Sequence, residues 1–173
     1  MSQRAAPAHL TRSISHGTRL TSMHPLATIG YQGTSVTEFL STLRKAKIEL
    51  LVDIRAVASS RRPGFSKSAL AANLETAGID YLHFRSLGTP ADGRAAARAG
   101  HHAEMRGIFL AHLKTEAAQE QLSDLMNLVR SGQRVCVLCF EADPAYCHRS
   151  MVAEAVAKKL RVAIEHLRPA AED

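Results

Sequence analysis

The chain has no tryptophan, and aromatic residues of all kinds make up only 5% of it. A stacking platform for single-stranded nucleic acid needs a row of exposed rings, so the composition argues against that surface. Long apolar runs are missing as well. The longest, Val135 to Phe140, has six residues, against the roughly 20 that a membrane-spanning helix needs. Cysteines number three, confined to Cys136, Cys139 and Cys147. That odd, clustered set is no secreted disulfide framework, and no apolar signal segment with a small-residue cleavage site is seen. A reduced, cytoplasmic setting is therefore the expectation. The dinucleotide fingerprint G-x-G-x-x-G, the Walker loop and the G-x-S-x-G nucleophile elbow are all absent, which removes the simplest cofactor, NTPase and serine-hydrolase readings. No internal repeat is apparent.

What is present is globular. The 173 residues (18.8 kDa) are 46% hydrophobic and 22% charged, enough to build one core without disulfides or a structural metal. Lys and Arg outnumber Asp and Glu by 22 to 16, a formal charge of +6 with a pI near 9.6. Such a surface suits a polyanionic or phosphorylated partner, and it also serves plain solubility. The first 24 residues hold Arg4, Arg12 and Arg19 and no acid. They resemble an organelle transit peptide only superficially, because no amphipathic stripe runs through them. The reading is a flexible basic tail over residues 1–25, one domain over 26–168 and a short tail over 169–173.

Past Pro25 short apolar runs alternate with helical periodicity. Leu26 to Gly30, Ile48 to Ile54, Ile79 to Phe84 and Val135 to Phe140 read as strands, the second and fourth apolar on both faces. Val162 to Ile164 is a fifth, short one. Ser35 with Glu38 makes a capping box ahead of Val36, Phe39, Leu40 and Leu43. Further helices are expected from Ser66 to a stop at Gly78, around Met105 to Leu113, from Ala118 to near Gly132, and from Ser150 onward. This alternation predicts a compact three-layer α/β domain: a mostly parallel sheet of about five strands with helices on both faces, Rossmann-like or flavodoxin-like. Ligands of such sheets bind beyond the carboxyl ends of the strands.

Polar residues cluster at those ends. The first strand leads into Gly30, Tyr31 and Gln32, a Gly-bounded turn. The second carries Asp53 and Arg55, two residues apart and so on one face, followed by Arg61, Arg62 and Phe65. Leu87 and Gly88 follow the third strand. After the fourth come Cys139, Glu141, Cys147, His148, Arg149 and Ser150, with Ser150 as the expected helix cap. A helix start favours anions, and its field lowers the pKa of a nearby thiol. Arg149 would then bind an anion, with Cys147 and His148 as candidate nucleophile and acid or base. The plain alternatives are that Arg149 pairs with Asp53 or Glu141, and that Asp53 and Arg55 form a buried salt bridge. Cys139, Cys147, His148 and Glu141 could also gather around a soft metal, although their spacing matches no strong zinc pattern. Cys136 and Cys139 form a C-x-x-C inside a strand, where redox work is not expected. His101 and His102 read as solvated surface.

At these residues the sequence resembles the domain of unknown function 488 family. The likeness rests on T-I-G (Thr28–Gly30), V-D-I-R (Val52–Arg55), S-R-R-P-G-F (Ser60–Phe65), Leu87-Gly88 and C-x-E-x-D-P-x-x-C-H-R (Cys139–Arg149), in order. Tyr31-Gln32 and the stretch from Ala97 to His102 depart from it. The resemblance implies a compact α/β domain and supplies no activity.

The sequence therefore leads to an Arg-rich, anion-binding pocket at the carboxyl edge of the sheet. Arg55, Arg61, Arg62, Arg149 and Ser150 would bind the anion; Asp53, Glu141, Cys147 and His148 would do any chemistry. Gly30, Tyr31, Gln32, Phe65, Leu87, Gly88 and Cys139 would line the site. A small anionic ligand is the expected partner, and an enzyme would hydrolyse or transfer groups on a phosphorylated or nucleotide-like substrate. A nucleic-acid-binding module is the second reading and the metal site the third. No membrane partner is expected, no residue is assigned to a metal, and the cofactor and oligomeric state are not specified by the sequence.

Overall fold

A computed structural model of the chain describes residues 22–171. The expected basic tail, up to residue 21, and the last two residues lie outside it. Five strands form one all-parallel sheet: β1 (Leu26–Gly30), β2 (Leu50–Asp53), β3 (Asp80–His83), β4 (Val135–Cys139) and β5 (Ile164–Leu167), in the order β3-β2-β4-β1-β5. Six α-helices occur among the described residues: α1 (Val36–Lys45), α2 (Lys67–Thr76), α3 (Ala91–Arg98), α4 (His102–His112), α5 (Glu116–Arg130) and α6 (His148–Leu160). The result is the expected three-layer, Rossmann-like α/β fold. No helix among the described residues is long and apolar enough to cross a membrane.

Strand alternation divides the core in two. On one face Ala27, Ile29, Leu51, Cys136 and Leu138 pack against Phe39 and Leu43 of α1 and Leu70 and Leu74 of α2. On the other, Leu50, Val52, Val135 and Val137 meet Phe109 of α4, Leu122 and Leu125 of α5, and Val152 and Val156 of α6. Each fully buried Leu, Val or Phe contributes about 1.5–3 kcal/mol of transfer free energy. The central strands thus read as continuous apolar runs because both faces are covered. The Ser35 cap forms as expected, its hydroxyl accepting from Glu38 N at 3.2 Å.

The topology positions the site. From β1 the chain passes over β4 to β2 and on to β3, with α1 and α2 on one face. It then returns over β2 to β4, and over β1 to β5, with α3–α5 and α6 on the other face. Travel in one direction always uses one face, so the four crossovers share one hand. Strand β4 sends its chain to the face opposite to that used after its neighbours β1 and β2. A crevice opens at the carboxyl edge where such neighbours diverge.

Four local differences from the sequence reading have physical reasons. Helix α3 is new: its only buried residues are Gly93 and Ala96, so it carries no large apolar periodicity to detect. Helix α6 begins at His148 with Cys147 as its cap, Sγ accepting from Arg149 N at 3.5 Å; Ser150 instead lies in the first turn and donates to the Pro144 carbonyl. Strand β5 starts at Ile164, after α6 ends on Arg161 in the left-handed region (φ 56°). Strands β2 and β3 are shorter than the apolar runs that contain them, because Ile48 and Ile79 are buried beyond the paired segments.

Candidate functional site

Beneath the carboxyl edge lies a buried ion pair. The fork of Arg55 donates to both oxygens of Asp53, Nε to Oδ1 at 2.9 Å and Nη2 to Oδ2 at 2.6 Å. Its Nη1 donates to Tyr31 Oη (3.1 Å) and to the Phe65 carbonyl (2.8 Å). Four of the five guanidinium N–H groups are thereby used internally. Asp53 is fully buried and also accepts from Arg55 N at 3.1 Å and Tyr81 Oη at 2.7 Å. Burial pulls the Arg55 pKa down, but the bonds and charge of Asp53 outweigh this and hold it above the ordinary value. Burial and the same carboxylate push the Tyr81 phenol up. The expected pairing of Asp53 with Arg55 is thus realised as a structural tie that also fixes Tyr31, whose ring stacks on Phe65 at 4.5 Å.

A second cluster sits on the opposite face. Cys139 at the end of β4 points toward the start of α6, with Sγ 3.3 Å from Glu141 Oε2 and 3.4 Å from His148 Nδ1. The Cys147 Sγ joins them, so that both sulfurs and an imidazole nitrogen lie within 4.8 Å of one another. His148 Nε2 stands 3.1 Å from the Ile54 carbonyl. That carbonyl can only accept, so Nε2 carries a proton, and in the neutral ring Nδ1 is the lone pair that faces Cys139 Sγ. The helix start was expected to lower the Cys147 pKa. Burial dominates instead and raises the thiols of Cys139 and Cys147 above their ordinary value. For His148, burial lowers the pKa, and the bond and charge of Cys147 reverse that to a net rise.

Between the two clusters opens a cleft of about 920 Å³. Buried Tyr31, Arg55, Cys139 and His148 line it together with Gln32 and Glu141 and with Arg61, Arg62, Arg94 and Arg98. Among the described residues that line it, Glu141 is the one carboxylate beside Arg61, Arg94 and Arg98, while Arg55 is balanced by Asp53. Arg62 donates to the Thr34 carbonyl at 2.7 Å and Arg94 to the Thr89 carbonyl at 2.8 Å, while Arg61 and Arg98 are exposed. Arg94 and Arg98 stand one turn apart on α3 and so on one side of it. Val57, Phe140 and Tyr146, between 41% and 51% exposed, also border the cleft. His102 packs its ring against Tyr146, with 4.7 Å between centroids.

Other expected site residues lie elsewhere. Arg149 is fully buried; Nη1 donates to the Glu141 carbonyl, Nη2 to the Ala142 carbonyl at 3.1 Å and Nε to Thr28 Oγ1 at 3.3 Å. Its cation ties the loop after β4 to β1, pairs with neither Asp53 nor Glu141, and does not border the cleft. Ser150 and Cys147 are buried behind it. Gly30 is packed where a Cβ would meet the Glu141 carbonyl oxygen at 1.8 Å, and Gly88 where one would meet Ala56 N at 2.2 Å. Leu87 and Phe65 are core residues.

The residues that sequence reasoning missed are Arg94, Arg98, His102, Phe140 and Tyr146. The i, i+4 spacing of Arg94 and Arg98 after Thr89-Pro90 was the available signal. His102 borders the cleft rather than standing in solvent, whereas His101 is exposed beside Glu104 at 3.3 Å.

An α/β domain with a cationic, partly aromatic cleft at its topological switch is the class that fold and site define. The sequence model described as Domain of unknown function DUF488 matches residues 35–156, more than half of the chain. The protein belongs to this family. The matched stretch contains all the segments quoted above except Thr28–Gly30. Comparison with curated proteins gave no match.

Proposed function

We propose that the cleft binds a small phosphorylated ligand that also carries a planar ring, a nucleotide-like molecule. The observation that carries this reading is the convergence of Arg61, Arg94 and Arg98, with Arg62 alongside, on a cleft whose described lining holds one carboxylate, Glu141. Guanidinium forks suit phosphate oxygens in two-point fashion. Exposed Phe140 and Tyr146 supply apolar faces on which a ring would rest. A highly charged inorganic anion alone would leave these faces unused. In a hydrolysis or transfer reaction, acid–base work would fall to Glu141, the carboxylate that reaches the cleft, because Asp53 is occupied by Arg55 and Tyr81.

A thermal-shift screen with phosphate, nucleotides, small carboxylates and a short oligonucleotide, each at low and high salt, tests the proposal. A ligand at 100 times its dissociation constant adds about 2.7 kcal/mol to stability. The expected result is a nucleotide response that persists at high salt and is lost in the Arg94→Ala/Arg98→Ala variant. A response to the oligonucleotide alone, erased by salt, would replace this reading with a nucleic-acid-binding surface suited to the +6 charge.

A further inference from the structure

We propose that Cys139, Cys147 and His148 form a binding site for one divalent zinc-class ion at the floor of the cleft, with the fourth position open to water. Two thiols and an imidazole, from the end of β4, the cap of α6 and its first residue, lie within 4.8 Å of one another, and Glu141 Oε2 stands 3.3 Å from the Cys139 sulfur. Soft sulfur with borderline nitrogen selects zinc-class ions over magnesium or calcium.

The spacing fits tetrahedral coordination. Zinc bonds to sulfur at about 2.3 Å and to nitrogen or oxygen at about 2.0 Å, so a sulfur–nitrogen or sulfur–oxygen edge measures about 3.5 Å. The Cys139 Sγ lies 3.4 Å from His148 Nδ1 and 3.3 Å from Glu141 Oε2. With Cys147 inside the same 4.8 Å group, closure onto an ion needs only side-chain adjustment.

The surroundings are those of a ligand set. His148 gives its Nε2 proton to the Ile54 carbonyl, which fixes the ring and leaves Nδ1 as the donor atom, and Phe109 packs on the ring at 5.1 Å. The Arg149 amide donates to Cys147 Sγ at 3.5 Å, a bond suited to a thiolate. Cys139, Glu141 and His148 all border the cleft, which gives an ion its entry path. Binding displaces the two thiol protons to solvent and leaves two thiolates and one neutral imidazole around the dication, a centre of zero net charge.

Two thiol hydrogen bonds would also satisfy these distances, so the experiment must separate metal from proton. Full-length protein is prepared with a reductant, its three thiols are confirmed free after denaturation, and zinc is titrated in competition with a chromophoric chelator. Cobalt(II) is then bound to the same protein. The expected result is one equivalent of zinc with nanomolar or tighter affinity, and a cobalt complex showing thiolate charge transfer with intense tetrahedral d–d bands. Cys147→Ser and His148→Gln should each weaken zinc at least 100-fold, while Cys136→Ala, which alters the opposite core, should leave affinity unchanged. Failure of wild type to bind one equivalent, or an octahedral cobalt spectrum without charge transfer, would overturn the site. The wild-type result decides even if a variant does not fold. None of the four arginines of the anion reading takes part, so metal binding and anion binding fail separately.

Discussion

Replacing Asp53 by Asn removes one charge from a buried ion pair without changing its shape. Arg55, only 5% exposed, would lose its counter-ion while keeping its bonds to Tyr31 and Phe65. The new amide would also turn an N–H toward donors that now point at oxygen, either Arg55 or Tyr81. Breaking a buried pair from one side costs about 3–5 kcal/mol, because the remaining charge is stranded. For a domain of this size each kcal/mol moves Tm by roughly 2–4 °C, so Asp53→Asn should lower Tm by about 6–20 °C. Urea unfolding at neutral pH measures the loss directly. The double variant Asp53→Leu/Arg55→Met, apolar on both sides, should recover most of it, since the penalty belongs to the stranded charge rather than to the pair. A cost below about 1 kcal/mol for Asp53→Asn, or a double variant as damaged as the two singles added, would refute the reasoning.

The Gly30→Ala variant should lose about 1–3 kcal/mol or more, read by urea unfolding, because the new Cβ would collide with the Glu141 carbonyl. Arg149→Met should lose several kcal/mol, read by urea unfolding, through the carbonyls of Glu141 and Ala142 that it leaves without their donor. Its folded fraction should still bind the cleft's ligand with wild-type affinity in calorimetry, since Arg149 does not border the cleft. The His166 pKa lies below its ordinary 6.5, held down by partial burial and then by the charges of Arg149 and Arg168. The unfolded chain therefore binds the extra proton first, so this contribution to stability is complete above about pH 6.5 and is lost as pH falls through the lower folded value. NMR titration should show that shift, and Arg168→Ala should move it upward.

Much of the architecture was legible because burial on both faces leaves a mark that one chain can show. Val135 to Phe140 and Ile48 to Ile54 are apolar almost throughout, and the structure covers both sides of β4 and β2. The two-residue step that puts Asp53 beside Arg55 was equally readable. The role of Arg149 was not. Its side chain is decided by carbonyls of Glu141 and Ala142 that fold back over β1, and backbone carbonyls carry no signature in a sequence. Helix α3 escaped because it packs through small residues, with Gly93 and Ala96 buried and Ala97 partly so. With it went Arg94 and Arg98, which make the cleft cationic on that side. The cap at Cys147 was hidden behind Ser150, a better capping residue that stands three positions too late.

The central claim concerns where a ligand sits, and backbone amide NMR of the labelled protein titrated with a nucleoside phosphate tests it most directly. The account expects saturable shifts gathered at Gln32, Ala56, Ser60, Glu141 and Tyr146, around the cleft, and their disappearance in Arg94→Ala/Arg98→Ala. Shifts spread thinly over the surface, or none up to millimolar ligand, would contradict it.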